Sequence, residues 1–342
     1  MKPKLSILDL APVSRGGTIT DSFAASVALA QAAERLGYER VWYAEHHNMA
    51  MIASSATSVL IAHIGAQTSE IRLGAGGIML PNHSPLLIAE QFGSLEAMYP
   101  GRIDLGLGRA PGSDQATTYA LRRDPASAES FPQDVLELQG YLTGQSRIEG
   151  VNATPGNGAN VPLYILGSSL FGARLAAALG LPYAFASHFS PELLMAAIDT
   201  YRAEFRPSEQ LQAPYVIAGA NVIAADTLAT AREYHTEVRR IRAVTLFGRQ
   251  LGNPSLQASD ADADRLLARG AAQHVDQMLT YTGIGTAAEV KEFIEGFAAQ
   301  TGADELIIAH HVPSSAGRIR SAEILAEALE LQPRALAATG SY

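Results

Sequence analysis

The chain has no cysteine. That absence removes disulfides, thiolate metal sites and cysteine nucleophiles together, while leaving the compartment open. Blocks of lysine and arginine are missing too: 25 basic residues are dispersed among 34 acidic ones, for a net charge of −9. Neither a basic nucleic-acid surface nor an anionic-membrane patch is expected from that balance. No uninterrupted apolar run reaches the roughly 18 residues of a spanning helix, so no membrane partner is expected either. Met1 to Asp9 lacks the long apolar core of a signal peptide, which makes a cytoplasmic enzyme the expectation. A strong early GxGxxG is absent as well, which weakens the alternative of an open doubly wound sheet.

What is present is apolar material, 47% of 342 residues, enough for a large core. The length suits an α/β barrel. Short apolar runs alternate with helical periodicity along the chain. Strands are expected at 5–10, 40–44, 71–80, 103–108, 161–166, 183–186, 215–225 and 305–309. Helices are expected between them, capped by Asp21, by Ser54 or Ser55, by Ser84 with Pro85 following, by Asp226 and by Thr286. About eight strand–helix units result, as a (β/α)8 TIM barrel requires. Three stretches fall outside this rhythm and read as insertions: roughly 112–131, 144–160 and 247–285.

The richest stretch runs from Leu73 to Gly112: LGAGGIMLPNHSPLLIAEQFGSLEAMYPGRIDLGLGRAPG. It reads as one βαβ unit whose polar residues, Asn82, His83 and Arg109, gather where strands end. Crossovers in parallel sheets share one hand, so these ends face one mouth, the side on which barrels build their sites. Gly76 and Gly77 either let backbone approach a ligand or relieve packing inside the barrel. Arg109 after an apolar strand needs a partner. A phosphate or ribityl oxygen suits a guanidinium, and an ion pair with Asp104, Asp114 or Glu90 is the alternative.

Other constellations stand at strand ends. In Glu45-His46-His47-Asn48, side chains alternate, so the two histidines cannot both face one way and make a poor chelate. One of them is placed to hold or release a proton near neutral pH, and the other is structural. Gly167-Ser168-Ser169 before a helix offers hydroxyls and free amides, suited to a phosphate or to plain N-capping. His188, His310 and His311 could line a pocket. No carboxylate spacing accompanies them, so no metal site is expected.

The stretch from Gly76 through Gly112, Ser113, Asp114 and Gln115 resembles the flavin-binding centre of the bacterial luciferase-like monooxygenases. It is most similar to a subgroup with the pattern GGxMLPNHSPLxIAEQFGxLxxxYPGRIDLGLGRAPGSDQ. The resemblance implies a luciferase-like TIM barrel over residues 1–342, with its insertions at the C-terminal face. It implies reduced FMN as co-substrate, held by Gly76, Gly77, Met79, Asn82, Arg109, Gly167, Ser168, Ser169 and Gly172. A non-prolyl cis peptide at Gly76–Gly77 and proton chemistry at His46 are implied with it. Where the subgroup often carries another hydroxyl residue, this chain has Gly172, so one phosphate donor is absent there. The implied reaction uses O2 to oxygenate a small, largely apolar organic substrate. Flavin would come from a separate NAD(P)H-dependent reductase, since no second nucleotide-binding domain is visible. A homodimer is implied through helices 54–67 and 84–98. The rival readings are a deazaflavin-dependent oxidoreductase of the same superfamily and a non-catalytic flavin-binding protein.

Overall fold

The computed structural model describes residues 3–110, 115–248 and 258–332. Nine strands appear: β1 Lys4–Asp9, β2 Arg40–Tyr43, β3 Arg72–Met79, β4 Ile103–Gly108, β5 Leu163–Gly167, β6 Tyr183–Phe185, β7 Val216–Ala224, β8 Thr282–Gly285 and β9 Glu305–His310. All pair in parallel. β1 through β7 follow one another, β9 lies between β7 and β1, and β6 pairs with β7, so eight strands close a barrel. Closure excludes the open doubly wound sheet. The short β8 pairs only with the later half of β7, Asn221 to Ala224. It was not expected; it falls inside the stretch read as an insertion at 247–285.

The strands are buried on both faces, which is why they read as continuous apolar runs rather than alternations. β7 is buried at every residue from Val216 to Ala224. Helices cover the outside, and glycines stop several of them. Gly37 takes φ 87° at the end of helix 19–36, and Gly180 takes φ 63° after helix 170–179, a region where a Cβ is unfavourable.

Three caps differ from expectation. Helix 19–36 begins at Thr18, with Asp21 completing a capping box from its third position. Helix 228–247 is capped by Thr227 rather than Asp226. Helix 57–65 has Ala56 at its N-cap, while Ser54 instead donates its hydroxyl to the Ala44 carbonyl and pins the exit of β2. Thr286 caps helix 287–301 in a box with Glu289, and Ser84 precedes helix 85–98 without a side-chain cap bond.

Described parts of two of the stretches read as insertions are helical. Residues 115–120 form a helix, and residues 260–278 form helical segments joined at Gly270, φ 111°. Gly112, Ser113 and Asp114 lie outside the described residues.

A charged cluster, unforeseen in the sequence, fills the barrel floor. Arg40 at the start of β2 donates to Asp104 (2.7 Å), Glu305 (2.9 Å) and the Tyr164 hydroxyl (2.8 Å). Arg72 also binds Asp104, and Tyr215 donates to Glu305 at 2.7 Å. Charges this deeply buried must be mutually paired to be tolerated. The cluster also removes Asp104 as a partner for Arg109, because five residues of extended strand separate them by about 16 Å.

Candidate active site

The Glu45 carboxylate, 1% exposed just beyond β2, organises the mouth. It accepts from the Met79 amide (3.0 Å), from Asn82 Nδ2 (3.2 Å) and from Nε2 of both His47 and His83 (2.9 Å each). Burial alone would raise its pKa; the bonds from His47, His83 and Asn82 outweigh that and hold it at about 2. The same bond raises the His47 pKa above its ordinary value. His47 therefore turns back to Glu45, and both it and its neighbour His46 line the cavity beyond. The participation of His83 was missed, because nothing in its local sequence points to a carboxylate 38 residues earlier.

Register aligns the next residues. Met79 lies opposite Gly108, and Gly108 opposite Leu166, so the exits of β3, β4 and β5 stand side by side. The Gly76–Gly77 peptide is cis, as the resemblance implied. A Cβ on Gly77 would stand 2.7 Å from the Gly106 carbonyl oxygen, and one on Gly76 would stand 2.8 Å from Trp42 Cβ. Both glycines thus meet a packing demand of the barrel, whatever else their backbone faces.

Arg109 is exposed at the exit of β4, and its guanidinium lies 4.1 Å from the ring centroid of Phe171. Phe171 sits in the first turn of helix 170–179. Ser169 is the extended N-cap of that helix, but its hydroxyl makes no capping bond. Among the described residues, the opening amides of the helix thus lack the usual cap from the N-cap side chain. The arrangement brings Arg109 and the Gly167-Ser168-Ser169 turn to one junction. Gly172 is buried in the same helix, where an added Cβ would come 3.4 Å from the Tyr183 ring.

A cavity of about 1200 Å³ opens beside this row. His46, Met79 and Ala110 lie on its wall with His310, His311, Phe189 and Arg242. Gly76, Gly77, Asn82, Arg109 and residues 167–172 lie along β3 to β5 and its following helix, off that wall. His188 is buried next to the cavity; burial, with the charges of Arg242 and His46, pushes its pKa down to about 3. His310 is likewise lowered to about 3 by burial and then by Arg318. His311 is driven well below its ordinary value by burial and then by Arg242, whose Nη2 donates to His311 Nε2 at 2.8 Å. All three are neutral imidazoles at pH 7. Among the described residues, no group of three or more His, Asp or Glu is arranged to hold a metal, and no helix is long and apolar enough to cross a membrane.

An eight-stranded parallel barrel with polar side chains gathered at its strand exits defines a class, the (β/α)8 barrels. The model of the luciferase-like monooxygenase family matches residues 4–305, and the chain belongs to that family. A luciferase-like monooxygenase of Escherichia coli (strain K12) is 44% identical over 328 residues, covering 95% of this chain and 96% of that protein. The N-acetyl-S-alkylcysteine monooxygenase of Bacillus subtilis (strain 168) is 32% identical over 335 residues, covering 95% and 98%. The crystal structure of apo-MsnO8 superposes with a TM-score of 0.84 at 36% identity, over 97% of this chain and 100% of that one. Two solved structures at 16% identity share the fold alone. One is the FMN complex of the oxygenating constituent of 3,6-diketocamphane monooxygenase from Pseudomonas putida (TM-score 0.67, 95% and 97% covered). The other is the coenzyme F420 dependent tetrahydromethanopterin reductase of Methanopyrus kandleri (TM-score 0.68, 96% and 98% covered).

Proposed function

We propose that the protein is an FMN-dependent monooxygenase that takes its reduced flavin from a separate NAD(P)H-dependent reductase. The observation that carries this reading is the junction of Arg109, Phe171 and the Ser168-Ser169 turn. A guanidinium, two hydroxyls and uncapped helix amides within one junction suit a phosphate dianion. The monooxygenase names of the relatives support it. Reduced FMN would supply the electrons and the activation of O2.

The chain's own residues bind, orient and exclude water. Arg109, Ser168, Ser169 and the backbone near Gly167 and Gly172 hold the phosphate end. Gly76, Gly77, Met79 and Asn82 border the ring position, with Asn82 fixed by Glu45. His46 holds or releases a proton at the cavity wall, and the apolar wall keeps water from the reacting centre. A small organic substrate enters the same cavity. The enzyme acts in the cytoplasm as a homodimer.

The test is Arg109→Ala, titrated with FMN and with riboflavin. A charge-assisted hydrogen bond is worth roughly 1.5–3 kcal/mol, so FMN affinity is expected to fall about tenfold to a hundredfold with riboflavin little changed. Equal loss for both ligands excludes a phosphate role. Coenzyme F420 titrated alongside separates the deazaflavin alternative, and oxygen uptake with reduced FMN separates catalysis from storage.

A further inference from the structure

Helix 228–247 crosses the cavity and carries three arginines in its middle. Arg239 and Arg240 turn outward, the first to Asp276 (2.7 Å) and the second to Asp264 (2.8 Å) and Asp260 (3.2 Å). Arg242 turns inward to the cavity wall. No carboxylate pairs with it among the described residues. Its one hydrogen bond goes to His311 Nε2 at 2.8 Å, and accepting that bond requires His311 to be neutral. The other cations of the wall are already answered: Arg318 by Asp9 at 2.9 Å, and Arg15 by Asp260 at 2.5 Å. Glu237 also reaches the wall, but forms no ion pair with Arg242. The cavity lining is mainly apolar, with Val13, Met49, Ile52, Val238, Ile241 and Val244 among it. Burial depresses the Arg242 pKa, which marks a cation held in a poor solvent without a counter-charge.

A guanidinium has five N–H donors, and toward the described residues one is used. Holding such a charge next to apolar walls is costly unless an anion completes it. We propose that the substrate of this site carries a carboxylate, bound by Arg242 with His311 steering the guanidinium, while its apolar body lies along the wall toward His46 and Met79. The proposal rests on the monooxygenase reading and narrows its substrate class from an apolar molecule to an amphiphilic acid. It also divides labour between two arginines. Arg109 at the β4 exit takes the cofactor's phosphate, and Arg242 across the cavity takes the substrate's carboxylate.

The experiment compares matched acids and amides on the FMN-loaded protein by titration calorimetry. Hexanoate is set against hexanamide, and phenylacetate against phenylacetamide. In wild type the carboxylates are expected to bind about tenfold to a hundredfold more tightly than their amides, the range of a charge-assisted bond. Arg242→Met should erase that preference and leave FMN affinity unchanged. Amides binding wild type as well as the acids, no binding of either acid, or a preference that survives Arg242→Met would each overturn the proposal. So would an Arg242→Met protein that loses FMN but not riboflavin, because Arg242 would then be a phosphate ligand. If Arg242→Met fails to fold, the wild-type comparison and Arg242→Lys, expected to keep only part of the preference, decide. The same pairs titrated into flavin-free protein separate a failure of the flavin reading from a failure of this one.

Discussion

At the scale of single residues, the buried Glu45 carboxylate binds His47, while His47 and the adjacent His46 both line the cavity. The same carboxylate binds His83. Removing His46 takes away a proton-holding group without touching Arg109 or the Ser168-Ser169 turn. His46→Ala is therefore expected to bind FMN normally and to lose about 10²–10⁴-fold in oxygen-dependent turnover, the usual range for a general acid or base. Dissociation constants and turnover measured in parallel check it. Unchanged turnover would make His46 a packing residue. Loss of both would make it a positioning residue for the cofactor. The placement of His46 was legible in the sequence, because the apolar run of β2 ends just before Glu45-His46-His47. That of Arg242 was not, since three arginines within four positions of one helix give no sequence signal as to which faces inward.

At the scale of elements, the barrel strands were legible because each is a short apolar run closed by a turn, and the burial of both faces produced that pattern. The caps were less legible, because Ser, Thr and Asp cluster at helix starts and several can serve; Thr18 with Asp21 and Thr227 after Asp226 show how close the competition is. β8 was hidden in Thr282-Gly283-Ile284-Gly285, too short and too glycine-rich to read as a strand. Helices 57–65 and 85–98 raise a different question, since their outer faces carry apolar residues with no cover. Val59 is 67% exposed, Met98 52% and Leu87 47%. The two helices are tied to each other by Ser58 and Gln91 at 2.9 Å, and by Tyr99, whose hydroxyl donates to the Ala62 carbonyl. A second copy of the same face would bury these side chains in a two-fold pairing, the commonest soluble symmetry. Val59→Glu with Leu87→Glu should thus turn a dimer into a monomer in analytical ultracentrifugation while retaining the barrel's circular dichroism. A wild-type protein that is already monomeric at micromolar concentration would remove the premise.

For the whole molecule, the buried titratable groups set how stability depends on pH. His188 and His310 have folded pKa values lowered to about 3, against an ordinary value of 6.5. Below pH 6.5 the unfolded chain therefore takes up protons that the folded one refuses, and stability present above that value is lost as pH falls toward 3. Each such histidine contributes a slope approaching roughly 1.4 kcal/mol per pH unit within that window. Glu45 acts in the same direction but later, because its folded value of about 2 lies below its ordinary 4.5, so its contribution is lost only between those values. His47 acts oppositely: its raised pKa stabilises the fold at low pH, and that contribution is lost as pH rises through the raised value. Two or more depressed histidines against one raised one leave a net loss on acidification. The melting temperature is thus expected to fall from about pH 6.5 downward, well before ordinary carboxylates titrate. His310→Gln removes one of the depressed groups and should flatten the fall between pH 6.5 and 4 relative to wild type, even if it lowers the melting temperature at pH 7. Scanning calorimetry of both proteins across that range checks it. A wild-type melting temperature that holds level down to pH 5 would show that His188 and His310 become protonated within the fold, and the neutral state derived for them from their burial would have to be abandoned.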